Sequence, residues 1–267
     1  MVIVYGTFTA TAKLLARLIT ARVEPCVASR YASGRAALAA EAGHRTDAII
    51  NWGVKLAPTS PLRCINRNAG IDKREQMRLL HASYVRIPRT IGINTDVIED
   101  ALMVRKHIQS SGGQGVSLVQ VMQPDDDHIH QEMIEKRAEF RVHVYGTRIV
   151  CVTRKYPRED GGVISPHIWN HGNGYVQRTV TKIGELMDES LSHVALLAVR
   201  TLGYDFGAVD IAMGLDGALY VLEVNSAPSL CDERAELWVD AITGTERSSN
   251  EEAVGQDQQD AGPAQAG

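Results

Sequence analysis

The sequence has no C-x-x-C pair, and Cys26, Cys64, Cys151 and Cys231 are scattered without dense spacing. That argues against a disulfide framework and a structural zinc site, and it fits a reducing compartment. An excess of positive charge is also missing: 28 Lys and Arg stand against 32 Asp and Glu, for a formal net charge of -4. Nucleic acid is therefore not the expected partner, since no basic footprint is present to track a phosphate backbone. No run approaches the roughly 20 apolar residues of a membrane helix, and MVIVYGTFTATAKLLARLI lacks the basic start of a signal peptide. The expected location is the cytoplasm. There is no internal repeat, Walker A sequence, Rossmann glycine fingerprint, Gly-x-Ser-x-Gly elbow or Cys-His signature. His44, His81, His107, His128 and His130 have no third metal-like partner at suitable spacing. What is present is enough for a sizeable core: 267 residues, 44% of them hydrophobic.

The pattern along the chain predicts four stretches. Residues 1–66 alternate strand-like runs (VIVY, PCVAS, DAIINWG) with the helical AKLLARLITARV, as a small α/β unit with parallel strands does. Residues 67–134 begin with the helical DKREQMRLLHAS, which Asp72 is placed to cap. They continue as strands around the glycine-rich SSGGQG, a candidate lid. Residues 135–243 contain a hairpin turned at Tyr145-Gly146-Thr147 and a polar loop through Trp169. A helix follows, ending at Gly203, and then a hairpin turned at Asp216-Gly217. Residues 244–267 have almost no large apolar side chain and read as a disordered tail.

The stretch YVLEVNSAPSL, Tyr220 to Leu230, puts polar groups into an apolar strand. Alternation predicts that Glu223 and Asn225 project together, away from Leu222 and Val224. Pairing across the Asp216-Gly217 turn brings Asp210 near them, so three oxygen donors share one face. Such donors suit Mg²⁺, with Mn²⁺ as the alternative, and leave its other ligands to water and phosphate. The loop Ser110, Ser111, Gly112, Gly113, Gln114, Gly115 offers backbone N–H groups to an anion, and of Arg105 and Lys106 before it only one should face the cleft. On the strand EFRVHVY, Glu139, Arg141 and His143 share a face, with Arg154 and Lys155 on the partner strand. His143 reads as a packed histidine. NWG, Asn51 to Gly53, reads as a structural turn.

The order of these motifs resembles the ATP-grasp superfamily, in particular its carboxylate-amine ligases, such as the D-alanine:D-alanine ligases and the glutamate ligases that modify ribosomal proteins. The resemblance is nearest to small glutamate-ligase-like proteins of bacteriophages. It covers roughly Asn51 to Leu230 and rests on GIDKREQMRLLHASYVRIPRT, VRKHIQSSGGQGV, HQEMIEKRAEFRVHVYG and DFGAVDIAMGLDGALYVLEVNSAPSL. It implies an α/β (α+β) ATP-grasp fold, with an N-terminal parallel α/β domain and two subdomains clasping ATP. It implies that Lys73 and one of Arg105 or Lys106 contact phosphates, together with the lid residues Ser111, Gly112, Gly113, Gln114 and Gly115. Gln131, Glu132, Met133 and Ile134 would be the hinge that reads adenine, and Glu139 would accept ribose hydroxyls. Asp210, Glu223 and Asn225 would hold Mg²⁺. Arg141, Lys155 and Asn225 are the candidate catalytic groups, with Arg141 preferred as oxyanion or phosphate ligand; Trp169, Asn170, Asn173 and Ser226 are the candidate substrate contacts. Two departures stand out: Arg-Lys replaces a single Lys, and Ser229 stands where Gly is frequent. The implied reaction joins a carboxylate substrate to an amine substrate (an amino acid, a peptide or a protein terminus) through an acyl phosphate, releasing ADP and phosphate in the cytoplasm of a host cell. Two alternatives stay open: a kinase on the same scaffold, and a non-catalytic nucleotide-binding phage protein.

Overall fold

The computed structural model describes residues 1–5, 9–23, 25–30, 48–55, 63–98, 102–109, 115–120, 126–160, 164–180 and 184–244. The glycines of the expected lid up to Gln114, and the expected tail from residue 245, lie outside the described residues. Among those described, no helix is long and apolar enough to cross a membrane.

The described residues form three sheets. The first is parallel, in the order β2-β1-β3-β4, from β1 (Val2–Tyr5), β2 (Val27–Arg30), β3 (Ala48–Trp52) and β4 (Arg63–Ile65). Helix α1 (Thr9–Arg22) connects β1 to β2. The buried Asn51 side chain ends β3 as a local clasp, donating to the carbonyls of Val54 and Asn66 and accepting from the N–H of Val54. The NWG turn is thus structural, as expected.

Helix α2 (Lys73–Ala82) starts where the sequence puts its cap: the Asp72 carboxylate accepts from the Glu75 N–H at 2.9 Å. Next comes a three-stranded antiparallel sheet, β6-β5-β7, of β5 (Met103–His107), β6 (Val116–Val119) and β7 (His128–Glu132). A five-stranded antiparallel sheet, in the order β10-β9-β8-β11-β12, completes the set. Its strands are β8 (Lys136–Tyr145), β9 (Arg148–Pro157), β10 (Tyr175–Val180), β11 (Phe206–Gly214) and β12 (Leu219–Asn225). Helix α3 (Glu185–Thr201) stops in a Schellman motif, with Gly203 at φ +64 and the N–H of Tyr204 on the carbonyl of Val199.

The two faces of β8 show how the sheet divides its work. Ala138, Phe140, Val142 and Val144 are fully buried in a core shared with α2 and α3. The opposite face carries Glu139 and Arg141 into an open cleft, and then His143 into a second core. That second core joins α1 and β3 to Phe206 and to α4 (Asp232–Thr243), a helix the sequence reading left unassigned. Trp238 of α4 meets Trp52 edge-on at 5.3 Å and Phe206 at 5.4 Å, and Arg22 of α1 pairs with Glu236 and Asp240.

The Trp238 indole N–H donates to His143 Nδ1 at 3.2 Å, so that nitrogen acts as an acceptor. Burial, helped by the nearby charges of Arg141 and Arg234, pushes the His143 pKa down to about 3 from 6.5. On acidification the unfolded chain takes up a proton that the native state refuses. Stability should therefore fall as pH drops from about 6.5 towards 3, by up to about 1.4 kcal/mol per pH unit from this residue. Urea midpoints measured across that range should decline less steeply in His143→Gln; an unchanged slope would assign the acid sensitivity to other groups.

Candidate active site

A cavity of about 560 Å³ opens between the three-stranded and five-stranded sheets, with α4 at its edge. Its size is that of a small-molecule site. Among the described residues six cations line it (Lys73, Lys106, Lys136, Arg141, Lys155 and Arg234), against four carboxylates (Glu132, Glu139, Asp210 and Glu223). Glu132 is in turn paired with Arg89. This surplus of positive charge in a recess favours a polyanion.

The polar groups of β11 and β12 meet as the sequence predicts, but with one irregularity. Asp210 lies opposite Glu223, and Ala208 opposite Asn225. Register then shifts so that Ile211 lies opposite Val221, leaving Leu222 as the extra residue of a bulge. Strict alternation would have put Leu222 on the face away from Glu223. The bulge instead lets Val221 and Val224 both enter the core, while Leu222 and Glu223 both border the cavity.

Asp210 accepts two hydrogen bonds from Arg141, Nε to Oδ1 at 2.6 Å and Nη2 to Oδ2 at 2.8 Å. Burial alone would raise the Asp210 pKa; the Arg141 charge and its hydrogen bonds outweigh that and hold the carboxyl below its usual range. Asn225 Nδ2 donates to Glu223 Oε1 at 2.9 Å, and Lys73 Nζ lies 3.9 Å from Glu223 Oε2. Among the described residues no group of three His, Cys, Asp or Glu side chains is placed to hold a metal. The set here is two carboxylates and a carboxamide. A carboxylate has about four lone-pair sites, and Arg141 uses two of those on Asp210, so the residues fit a hard cation completed by phosphate and water.

Alternation on β5 separates the two basic candidates. Arg105 turns away from the cavity, with Nη2 3.1 Å from His128 Nδ1, whereas Lys106 lines the cavity. Burial drives the Lys106 pKa down to about 8, against the opposing pull of Glu223 and Glu139. Of the lid residues, Ser111, Gly112, Gly113 and Gln114 lie outside the described residues, while Gly115, at φ +68, leads into β6. Gln131, Glu132, Met133 and Ile134 all border the cavity, and the Met133 N–H is committed to the Leu102 carbonyl at 3.0 Å.

Glu139 is almost fully buried and pairs with Lys136, at 2.8 Å, and with Lys155. Burial pushes its pKa up, and the two lysines more than reverse this. Lys155 Nζ also donates to the Trp169 carbonyl at 2.7 Å, and Lys136 Nζ to the His167 carbonyl at 3.2 Å. These lysines thereby fasten the Trp169 loop over the cleft, and the Trp169 ring stacks on Tyr175 at 4.9 Å. Arg154 does not join the site; it lies over the rings of Phe140 and Tyr156.

Trp169 and Asn170 border the cavity, but Asn173 and Ser226 are not among the residues lining it. Asn173 is part of the turn that Asn170 caps, its N–H donating to the Asn170 carboxamide oxygen at 2.9 Å. Ser226 accepts from the Gly70 N–H at 3.4 Å, and Ser229, three residues on, lines the cavity instead. Sequence reasoning missed Lys136, Gln177 and Arg234. Lys136 begins β8, where alternation alone would set it on the face opposite Glu139, so the sequence carried no signal for it; the other two lie on β10 and α4, which the sequence pattern does not assign.

No protein-family model and no curated protein sequence matches the chain. Solved structures do. D-alanine–D-alanine ligase from Bacillus anthracis aligns with a TM-score of 0.67 at 14% identity, covering 91% of this chain and 96% of that one. The ATP-grasp ligase PsnB, complexed with a minimal precursor, aligns at 0.62 and 15% identity, over 91% and 98%. The D-cycloserine synthetase DcsG aligns at 0.60 and 16% identity, over 91% and 99%. Likeness of this breadth at such low identity is likeness of architecture, and it shows that the chain has the ATP-grasp fold.

Proposed function

We propose that the protein is an ATP-dependent carboxylate-amine ligase, closest in motif order to the phage-encoded glutamate-ligase-like proteins. The observation that carries this reading is the cavity itself. Among the described residues six cations line it together with Asp210 and Glu223, and Asn225 donates to Glu223 beside it, on a fold shared with PsnB, whose structure includes Mg and ADP. In this reading residues 1–66 form the N-terminal domain, 67–134 the lid subdomain and 135–243 the subdomain that carries the metal ligands.

Asp210, Glu223 and Asn225 would hold Mg²⁺, whose charge offsets that of the triphosphate as the γ-phosphoryl group moves. Residues 131–134 take the adenine and Glu139 the ribose. Lys73 and Lys106 hold the phosphates, which orients the γ-phosphorus toward the acid. The acid oxygen displaces ADP, forming an acyl phosphate; the amine nitrogen then attacks its carbonyl carbon, the C–O bond to phosphate breaks, and an amide and phosphate leave. Arg141, which donates to Asp210, would stabilise the oxyanion of that attack. The Trp169 loop, held by Lys136 and Lys155, shields the acyl phosphate from water.

The test is phosphate release from ATP that requires Mg²⁺, an acid and an amine, with hydroxylamine trapping the acyl group as a hydroxamate. Glu223→Gln should reduce turnover by at least about 100-fold, the scale of losing one group that stabilises transition-state charge. A stable phosphorylated product formed without amine would identify a kinase. ATP binding without turnover across a broad panel of acid and amine pairs would identify a nucleotide-binding protein.

A further inference from the structure

Among the described residues β12 is the outer strand of the five-stranded sheet, so the N–H groups along its outer side have no further strand to receive them. Two of them are nonetheless taken up. The Val221 N–H donates to the Arg86 carbonyl at 2.9 Å, and the Val224 N–H donates to the Gln76 side-chain oxygen Oε1 at 3.0 Å. In an unbroken strand the N–H groups that face one edge belong to residues an even number apart. Val221 and Val224 are separated by an odd number, and both face outward because Leu222 is the extra residue between them. The Arg86 carbonyl and the Gln76 carboxamide therefore hold the bulge at its two ends.

Gln76 is only 6% exposed and lies on the buried face of α2 with Lys73, Met77 and Leu80. Its amide nitrogen is engaged as well, Nε2 donating to the Ile71 carbonyl at 2.9 Å, so the donor and the acceptor together fix one orientation of the carboxamide. A glutamate here would set a charge against the Ile71 carbonyl, and an asparagine is one methylene shorter. The helix backbone cannot take the place of this side chain, because its own groups are bonded within α2.

The bulge decides where Glu223 points. With it, Leu222 and Glu223 border the cavity while Val221 and Val224 enter the core. In a regular strand Val221 and Glu223 would share a face, and keeping Val221 in the core would carry the carboxylate there too. Lys73 lies one turn before Gln76 on α2, and its Nζ is 3.9 Å from Glu223 Oε2. The bond from Gln76 thus ties the helix that carries this cation to the strand that carries the carboxylate.

Resting on the ligase reading above, in which Glu223 holds Mg²⁺ and Lys73 a phosphate, we infer that Gln76 is a positioning residue. It does not line the cavity; by holding the Val224 N–H it keeps β12 in the register that turns Glu223 into the cleft.

Amide hydrogen exchange followed by NMR, and calorimetric titration, both on the full chain, test the inference. In the wild type the Val224 amide should exchange slowly although it lies on a sheet edge. Gln76→Met nearly keeps the length of the side chain and removes both hydrogen bonds. Exchange at Val224 should then become about 10–100-fold faster, the scale of leaving one buried donor unpaired, while the amides of β11 keep their protection. Mg²⁺ should tighten the binding of a non-hydrolysable ATP analogue to the wild type. Gln76→Met should reduce that gain at least about tenfold, as loss of a group that orients a metal ligand does, with affinity for the analogue in the absence of Mg²⁺ within about twofold. Leu15→Ala, a truncation in the second core, serves as a destabilised control and should leave the gain unchanged. The inference is overturned if Val224 exchanges in the wild type as freely as a solvent-exposed amide, if Gln76→Met keeps the full Mg²⁺ gain, or if Leu15→Ala loses as much of it. The wild-type exchange decides even if Gln76→Met does not fold. Absence of any Mg²⁺-dependent nucleotide binding by the wild type would instead remove the ligase reading.

Discussion

Asp210→Ala is expected to destabilise the protein by about 3–5 kcal/mol, because it leaves the Arg141 guanidinium buried without its counter-charge. The two side chains are only 17% and 6% exposed, so water cannot step in for the lost carboxylate. The loss should appear as a lower denaturant midpoint at constant m. Removing both charges, as Arg141→Met with Asp210→Leu, should recover most of the stability, because a buried ion pair is worth little against well-packed apolar groups even though half a pair is costly. A single variant no less stable than the double variant would overturn this account. The pH dependence has a definite sign. The folded-state pKa of Asp210 lies below its unfolded value, so the stabilisation is present above the ordinary carboxylate range and is lost as pH falls through the folded value. Recovered stability should not restore turnover, since the double variant lacks the proposed metal ligand.

Affinity for Mg²⁺–ATP is expected to fall as pH rises through about 8, the value to which burial depresses Lys106. The charged lysine is costly in the empty cleft and is stabilised once phosphate arrives, so binding above pH 8 must first return a proton. The dissociation constant should rise by up to about tenfold per pH unit there. Lys106→Met should remove this slope and weaken binding about 10–100-fold, the worth of a hydrogen bond to a charged group. The stability of the ligand-free protein should move the other way. Between about 8 and the ordinary 10.5 the unfolded chain holds a proton that the native state has released, so stability increases with pH across that window. Opposite slopes for affinity and stability identify one group as the source of both. Titration in buffers of different ionisation enthalpy should show proton uptake on binding between about pH 8 and the ordinary 10.5; its absence there would place the responsible charge elsewhere.

Much of the site was legible because it obeys local rules. A period of two puts Glu139 and Arg141 on one strand face, and the turn at Asp216-Gly217 folds the strand that carries Glu223 back beside Asp210. What the sequence concealed depends on partners far along the chain. That Arg105 and Lys106 point to opposite faces follows from alternation, but which one meets the cleft is decided by how the three-stranded sheet lies over the five-stranded one. The bulge at Leu222 cannot be read from YVLEVN, since an extra residue in one strand is defined only against its partner. Helix α4 has an apolar set of Ala235, Trp238 and Val239, too short to declare itself; burial between α1 and the aromatic cluster settles its place. Arg234 went unnoticed with it.

The aromatic cluster beneath α4 also has a bearing on synthesis. Trp238 closes a core opened by residues such as Ile3, Leu15 and Trp52, and the Leu230 N–H donates to the Thr11 hydroxyl 219 positions away. Contacts of such sequence separation form late, because loop closure must be completed before they contribute. During translation the N-terminal sheet therefore emerges with its Trp52 surface bare, and it waits for α4 before that surface is covered. While the residues between Trp52 and Trp238 are being made, this sheet is a part of the molecule exposed to aggregation.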